Sequence, residues 1–471
     1  MDTVELRAAA ARLLKLHGRF APLFGRREPQ EHSLGYLRGL LLADGRKSVE
    51  PMALCFGGPS EEQAEIAQSV ALAWQRFLTV SPWEAQAVQQ EIQAVFKEEF
   101  VPTARQWPIG TVGVIDGSGF VKRGTESVGV GRQWCGRLGK QENCQVGVFL
   151  LGVTPAGTAL LDHQLYLPET WAADAERRKK TRVPREITFQ TKPEIAATLW
   201  SRSSVAFDWI TADEEFGRDG AFLDALESAG EGRPQRYLVE VPANTTVWAD
   251  EPLRKTPDEL VWQVSQLAQT LPRKAWRVIQ LRDGAKGPLA FAFARLRVWS
   301  VRHRRAGPQL WLLIRRSLEA VPEVKYYVSN AEPDVPLETM ALVTGSRWRV
   351  EEFLEDAKGQ LGMADYEARS WTSWHHHMSL VALAHLYVVQ TRRDLGRKVP
   401  ELTLDMAMRL LRAALPRPRL SLQEAGDLVD YHRARNKEAT ASHRKTWLAR
   451  HSNVVPRNCT FLRVGYVTRP S

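Results

Sequence analysis

The feature that most constrains this chain is a change of hydrophobic period near residue 105. Before it, apolar side chains recur every three or four residues over 2–15, 31–42 and 60–77, the mark of amphipathic helices. Ser81-Pro82-Trp83-Glu84 has the form of a capping box with proline at the first helical position, and predicts one more helix. From Thr111 the period shortens toward two. Residues 111–115 read as a strand closing at Asp116-Gly117-Ser118-Gly119, and 144–153 and 158–167 as a strand pair about Pro155-Ala156-Gly157. The polar stretch 168–192 predicts an exposed loop. Helix at 192–202, strand at 205–211, helix to about 228 and strand at 236–241 follow. This order implies an α/β core whose sheet begins antiparallel.

Between 242 and 334 alternation dominates again, with strands expected at 275–281, 288–301, 309–315 and 324–328, joined by turns such as Asp283-Gly284. That segment reads as a β-rich insertion. Helical periodicity returns over 336–363 and 371–392. The expected organisation is a helical N-terminal domain (1–105) whose basic turns at Arg26-Arg27 and Arg46-Lys47 are compatible with DNA binding, a core in two parts (106–241 and 335–392) around the insertion (242–334), and a basic C-terminal region (393–471). No apolar run approaches the ~20 residues needed to cross a bilayer. Asp2, Glu5, Arg7 and Arg12 make residues 1–15 unlike a signal or transit peptide, so an intracellular protein is expected. Cys55, Cys135, Cys144 and Cys459 show neither a CxxC pair nor zinc spacing.

Charge is distributed unevenly. Residues 392–471 hold 17 Lys and Arg against 7 Asp and Glu, an excess of 10 that equals the net charge of the whole chain. A basic region of that kind suits a polyanion, most simply nucleic acid.

The chemistry concentrates in Arg347-Trp348-Arg349-Val350-Glu351-Glu352-Phe353 and the turns up to Lys358. At about 100° per residue, Thr344, Arg347, Glu351 and Lys358 fall within roughly 60° of one another on one helix. Val350, Phe353, Leu354, Ala357 and Leu361 form an apolar stripe beside them. Glu351 is thus expected on the border of the buried face, with Glu352 and Asp356 turned further toward solvent. Asp116 ends the first strand and Asp213 the fourth, and open sheets build sites at strand ends. Three carboxylates converging there suit Mg²⁺ or Mn²⁺. Two such ions activate an attacking oxygen and stabilise a leaving one in phosphodiester displacement. His375-His376-His377 invites a metal reading too, but successive helical residues diverge by about 100°. A solvated or phosphate-facing helix start is expected there instead.

With these residues in view, the chain resembles bacterial insertion-sequence transposases of the DDE type, family 701 and its relatives, built on a ribonuclease-H-like core. The likeness runs through Val114-Ile115-Asp116-Gly117-Ser118-Gly119-Phe120, then Gly129-Val130-Gly131-Arg132-Gln133-Trp134-Cys135-Gly136, then Gly139-Lys140 with Asn143-Cys144-Gln145. It continues in Ala212-Asp213-Glu214-Glu215-Phe216-Gly217, Tyr327-Val328-Ser329-Asn330-Ala331, the Arg347 segment, Lys358-Gly359-Gln360-Leu361-Gly362 and Asp365-Tyr366-Glu367-Ala368-Arg369-Ser370-Trp371, covering roughly residues 20–390. That family carries a tyrosine, arginine, glutamate, lysine signature. Arg347, Glu351 and Lys358 keep its spacing, and Thr344 stands where the tyrosine would be.

The resemblance implies that Asp116, Asp213 and Glu351 hold two Mg²⁺ or Mn²⁺ ions per active site. Cleavage at an element end would free a 3′-hydroxyl, which would then join to target DNA. Arg347 and Lys358 would contact end-proximal phosphates, with Lys122 and Arg123 as further phosphate contacts. Trp299 and Trp311 in the insertion are candidates for stacking on an extruded base. The implied partners are terminal inverted repeats, target DNA and a second copy of the chain, and the implied location is the bacterial cytoplasm, at the nucleoid. A transposase-derived DNA-binding protein without catalysis, or a metal-dependent nuclease without strand transfer, are the alternatives.

Overall fold

The computed structural model describes residues 3–57, 61–228, 234–252, 261–284, 287–396, 399, 402–415 and 422–450. Cys459 and the end of the basic C-terminal region lie outside them. The chain divides into two compact units, Met1–Met52 with Ala71–Pro416, and Ala53–Val70 with Arg417–Ser471.

The period change is real. Ahead of it stand helices α1 (Thr3–Phe20), α2 (Arg27–Leu42), α3 (Val49–Gly57), α4 (Glu61–Thr79), α5 (Ala85–Glu99) and α6 (Val101–Ala104). Residues 81–84 form no capping box: α5 starts only at Ala85, and its N-cap, Glu84, makes no side-chain bond. Tertiary packing overrides the local signal. The Trp83 indole stacks on His376 at 3.6 Å between ring centroids and donates to the Phe77 carbonyl, which holds this segment extended. Lys47, in the connection after α2, is buried and donates to the Gln360 carbonyl at 2.6 Å.

The core sheet uses β1 (Val112–Val121), β2 (Gly131–Cys135), β3 (Lys140–Thr154) and β4 (Gly157–Leu165). Strand β1 pairs antiparallel with β3 from Val112↔Val153 to Val121↔Cys144, and β4 lies antiparallel on the far side of β3. Asp116 therefore sits in the middle of a ten-residue strand, opposite Phe149, rather than at its end. The segment expected as a loop carries α7 (Glu169–Ala172) and α8 (Ala175–Lys180). Trp171 anchors it, buried, with its indole donating to the Val130 carbonyl and Arg177 stacked on its ring.

After α9 (Lys192–Ser201), β5 (Trp209–Ala212) joins β1 in parallel. Helices α10 (Glu214–Gly217) and α11 (Gly220–Ser228) lead to β6 (Leu238–Val241), tied to β5 by a parallel bridge between Ile210 and Tyr237. The order β4-β3-β1-β5-β6, antiparallel then parallel, is the expected ribonuclease-H-like core.

The insertion comprises β7 (Thr246–Trp248), β8 (Trp262–Gln263), α12 (Val264–Gln269), β9 (Arg277–Gly284), β10 (Gly287–Arg302), β11 (Arg305–Arg316) and β12 (Val324–Ser329). It is not a separate lobe. Strand β12 pairs antiparallel with β6, so the second sheet grows from the last core strand. One apolar cluster, including Ile115, Leu150, Ile210, Val239, Leu312 and Ile314, runs through both sheets. Truncating such a side chain to alanine costs about 2–5 kcal/mol.

The helix expected over 336–363 is two, α13 (Leu337–Ser346) and α14 (Trp348–Gln360), with Arg347 at the junction. Next comes α15 (Trp371–Gly396), which packs on β4 and is buried along most of its length. Its histidines are not solvated: His376 and His377 are fully buried and His375 nearly so. Helix α16 (Leu404–Ala414) completes the first unit, burying Leu404, Ala407, Met408 and Leu411. In the second unit, α17 (Leu422–Arg450) exposes Arg433, Lys437, Arg444 and Lys445. Among the described residues no helix is long and apolar enough to cross a membrane.

Candidate active site

Asp116 is presented by a strand that leaves room around it. Gly117 and Gly119 follow, and a Cβ at Gly119 would come within 2.9 Å of the Cys135 sulfur, so β2 packs directly over this stretch. The Gly117 amide donates to Asp116 Oδ1 at 2.7 Å, which fixes the carboxylate and leaves Oδ2 available. Asp213 does two things. Its Oδ1 accepts from the Glu215 amide at 2.9 Å as the N-cap of α10, and its Oδ2 faces the same space as Asp116. Helix α10 is pressed against β6 so closely that a Cβ at Gly217 would lie 2.0 Å from the Glu240 carbonyl oxygen. That contact sets the position of the cap.

Arg347 joins the three acids. Its Nη2 lies 3.8 Å from Asp116 Oδ2 and 3.9 Å from Asp213 Oδ2, and its Nη1 lies 3.0 Å from Glu351 Oε1. The Arg347 side chain is only 17% exposed, and its Nε is buried without a hydrogen-bond partner. Glu351 does not sit at the edge of the buried face as its helical position suggested. Its side chain is 66% exposed, while Glu352 and Asp356 are the more buried pair. At the Arg347 junction the Val350 amide bonds to the Arg347 carbonyl, a tighter turn than the α-helical repeat.

The electrostatics are those of a site short of positive charge. Burial, and then the neighbouring Asp213, push the Asp116 carboxyl up to about 7 against the pull of Arg347. Burial raises Asp213 as well, again opposed by Arg347. One delocalised cation thus fails to satisfy two buried carboxylates. Hard oxygen donors of this kind fit a divalent cation such as Mg²⁺ or Mn²⁺. Among the described residues no three such side chains stand at ligating distance; Asp116, Asp213 and Glu351 each face the Arg347 guanidinium instead.

These groups line an open cleft of about 1100 Å³. Lys358 stands in its wall and donates to Ser118 Oγ at 2.7 Å and to the Gly119 carbonyl at 3.2 Å. Arg218 and Lys192 line it too, the latter bonded to Glu215 at 2.6 Å. Of the residues singled out from the sequence, the structure brings together Asp116, Asp213, Glu351, Arg347 and Lys358. It does not bring Lys122, Arg123, Trp299 or Trp311 to this cleft. Lys122 folds onto the Tyr366 ring at 3.3 Å and donates to its carbonyl, and burial pushes its ammonium down to about 7. Arg123 is exposed nearby. Trp311 lies between Arg295 and Arg297 on the insertion sheet, and Trp299 pairs across strands with Trp248 and Gln309. Thr344 is buried and donates to the Ala341 carbonyl. Glu355, one turn beyond Glu351 and the alternative third acid on this helix, also lines the cleft; Trp134, turned outward by the alternation of β2, is a cleft residue to which sequence reasoning gave no role.

Three likenesses to known proteins bear on this cleft. The family model described as DDE superfamily endonuclease matches residues 19–288, a span holding Asp116 and Asp213 and ending before Glu351. The "Probable transposase for insertion sequence element IS701" of Microchaete diplosiphon is 28% identical over 313 residues, 64% of this chain and 71% of that protein. A cryo-EM structure of the piggyBac transposase synaptic complex with hairpin DNA superposes over 91% of this chain and 84% of that one at 11% identity. Its TM-score is 0.37, too loose to support any inference.

Proposed function

The chain belongs to the DDE superfamily of endonucleases, and from that membership and the cleft's geometry we propose that it is a DNA transposase. It cuts at insertion-sequence ends and joins the freed 3′-hydroxyls to target DNA. The observation that carries the proposal is the convergence of Asp116, Asp213 and Glu351, distant in sequence, on the single guanidinium of Arg347. Likeness to the IS701 transposase supports the choice of substrate.

In this reading Asp116, Asp213 and Glu351 hold divalent cations. Bound there, the ions would activate an oxygen nucleophile and stabilise the leaving oxygen at phosphorus. In their absence Arg347 is the one cation the three acids share, and with the ions bound it would be free to address the non-bridging phosphate oxygens. A guanidinium suits that task because it can address two oxygens at once. Lys358, held by Ser118 and the Gly119 carbonyl, adds a fixed point charge at the cleft wall. Water attacks phosphorus in the first step, breaking the bond to the 3′-oxygen and leaving a 3′-hydroxyl and a 5′-phosphate. The 3′-hydroxyl attacks a target phosphorus in the second step and displaces a 3′-oxygen there. The bond count is unchanged in that exchange, so the joining step needs no external energy source.

Two ends must be cut for excision, which favours a dimer in the synaptic complex. The exposed basic residues of α17 fit sequence-independent contact with DNA backbone, weakening as salt rises. A cytoplasmic, nucleoid-associated location follows from the substrate.

The test supplies the full chain with Mg²⁺, DNA carrying the repeats that flank its gene, and supercoiled target. Nicking at the repeat ends followed by joined products is expected. Nicking without joined products would favour a plain nuclease, and binding with neither would favour a DNA-binding protein without catalysis.

A further inference from the structure

Trp134 is 58% exposed in the wall of the cleft that holds the three acids. Its orientation is built in. Along β2, Arg132 and Trp134 face outward while Cys135 is completely buried. The Gln133 amide side chain donates to the Cys144 carbonyl at 2.7 Å and to the Gly129 carbonyl at 3.3 Å, pinning the strand from beneath. Cys135 closes against Gly119 of β1. The backbone on both sides of Trp134 is therefore fixed, and the indole is held out of the core rather than left out by a loose loop.

Other tryptophans here have partners. Trp83 stacks on His376, Trp171 and Trp311 carry arginines, Arg282 lies over Trp348, and Trp374 packs among Phe149 and two histidines. Among the described residues the Trp134 indole has no hydrogen-bond partner and no ring or cation stacked on it. A large flat apolar face kept bare in the same cleft as Lys358, Arg218 and Arg347 matches what a single nucleic-acid strand needs, cations for phosphates and an aromatic plane for a base.

We propose that Trp134 is a stacking platform for an unpaired nucleobase of the strand held in the cleft. The proposal rests on the DNA-cutting reading above. Every base has a π-face, so the platform selects for an unpaired base rather than for a sequence. Within a paired duplex both faces of each base are already covered by neighbours, and Trp134 then has nothing to hold. Its role is positioning, since it reaches no reacting atom.

The experiment compares the full-length protein with Trp134→Ala and Trp134→Phe, without divalent ions so that nothing is cut. One probe is a blunt duplex; the other is the same duplex with a short single-stranded 3′ extension carrying 2-aminopurine. The wild type and Trp134→Phe are expected to quench 2-aminopurine and to bind the extended probe more tightly than the blunt one. Trp134→Ala should lose the quenching and about 5- to 100-fold of its affinity for the extended probe, with blunt-duplex affinity within about twofold. Unchanged quenching and affinity in Trp134→Ala would overturn the proposal, and so would equal losses on both probes. The underlying reading is tested separately, by cleavage with Asp116→Asn in Mg²⁺. If that variant cuts normally the DNA-cutting site is wrong, whatever the stacking result; if it is inactive while Trp134→Ala behaves as wild type, only the platform falls.

Discussion

The cleft and helix α15 both bury titratable side chains, and they satisfy them in opposite ways. On α15, His377 accepts from the Tyr36 hydroxyl at Nδ1 and donates from Nε2 to the Gly362 carbonyl, so the neutral ring is fully paired. Burial pushes its conjugate acid down to about 3, and does the same to His163 and His385. In the cleft, two carboxylates face each other across one shared guanidinium, and burial raises them toward neutrality. At His377 the arrangement is complete as it stands. The cleft stays short of positive charge until a ligand arrives. A buried ionisable group thus points to function when its neighbour is a like charge, and to packing when its neighbours are carbonyls and rings.

The largest effect should come from the acids. Asp116→Asn, Asp213→Asn and Glu351→Gln are each expected to lower Mg²⁺-dependent nicking by more than about 10²–10³-fold, with DNA affinity in a filter-binding assay little changed. Full activity in Glu351→Gln would move the third carboxylate to Glu355, the neighbouring acid in the cleft wall. Next is Arg347→Ala, expected to cost about 10- to 100-fold in cleavage. Arg347→Lys should recover little of it, because a point ammonium cannot reach three carboxylates at once.

On the α15 side the effects move from rate to stability. His377→Ala leaves the Tyr36 hydroxyl buried without its acceptor, and should cost about 2–4 kcal/mol in denaturant unfolding while cleavage per folded molecule stays unchanged. A rate loss exceeding the loss of folded protein would break the comparison. The smallest effect is a slope. His377 binds its proton near 6.5 when unfolded and near 3 when folded, so its contribution is present above pH 6.5 and lost as pH falls below it. Between pH 6.5 and 5 the variant's stability should fall less steeply than the wild type's, by about 1.4 kcal/mol per pH unit. The carboxyl of Asp116, raised to about 7, works in the other direction and gains stability on acidification.

Much of this contrast was legible in the sequence, and the exceptions share a cause. Hydrophobic period located the helical N-terminus, the core strands and the insertion because it reports which face of an element is buried. It also placed Asp116, Asp213 and Glu351 well enough to name them together. It could not show that β1 runs on past Asp116, since Gly117 and Gly119 weaken a strand pattern while serving the close approach of Cys135. Nor could it show that β6 belongs to both sheets, a fact of long-range pairing. The histidine run was misjudged for the same reason. Its burial depends on Tyr36, Trp83 and Gly362, residues far off in sequence or beyond a turn. Glu351 was misplaced because the helical period shows the apolar stripe of α14 but not what covers its other faces: Glu352 and Asp356 lie against Arg392 and Leu404 of later helices.

The shared cation at the three acids is open to direct view. Crystals of the full chain with a DNA end, grown with Mn²⁺, would locate the metal by anomalous scattering. The expected peaks touch oxygens of Asp116, Asp213 and Glu351, with the Arg347 guanidinium displaced toward phosphate. Peaks bound to other side chains, or a cleft in which Arg347 still bridges the acids at saturating Mn²⁺, would contradict it.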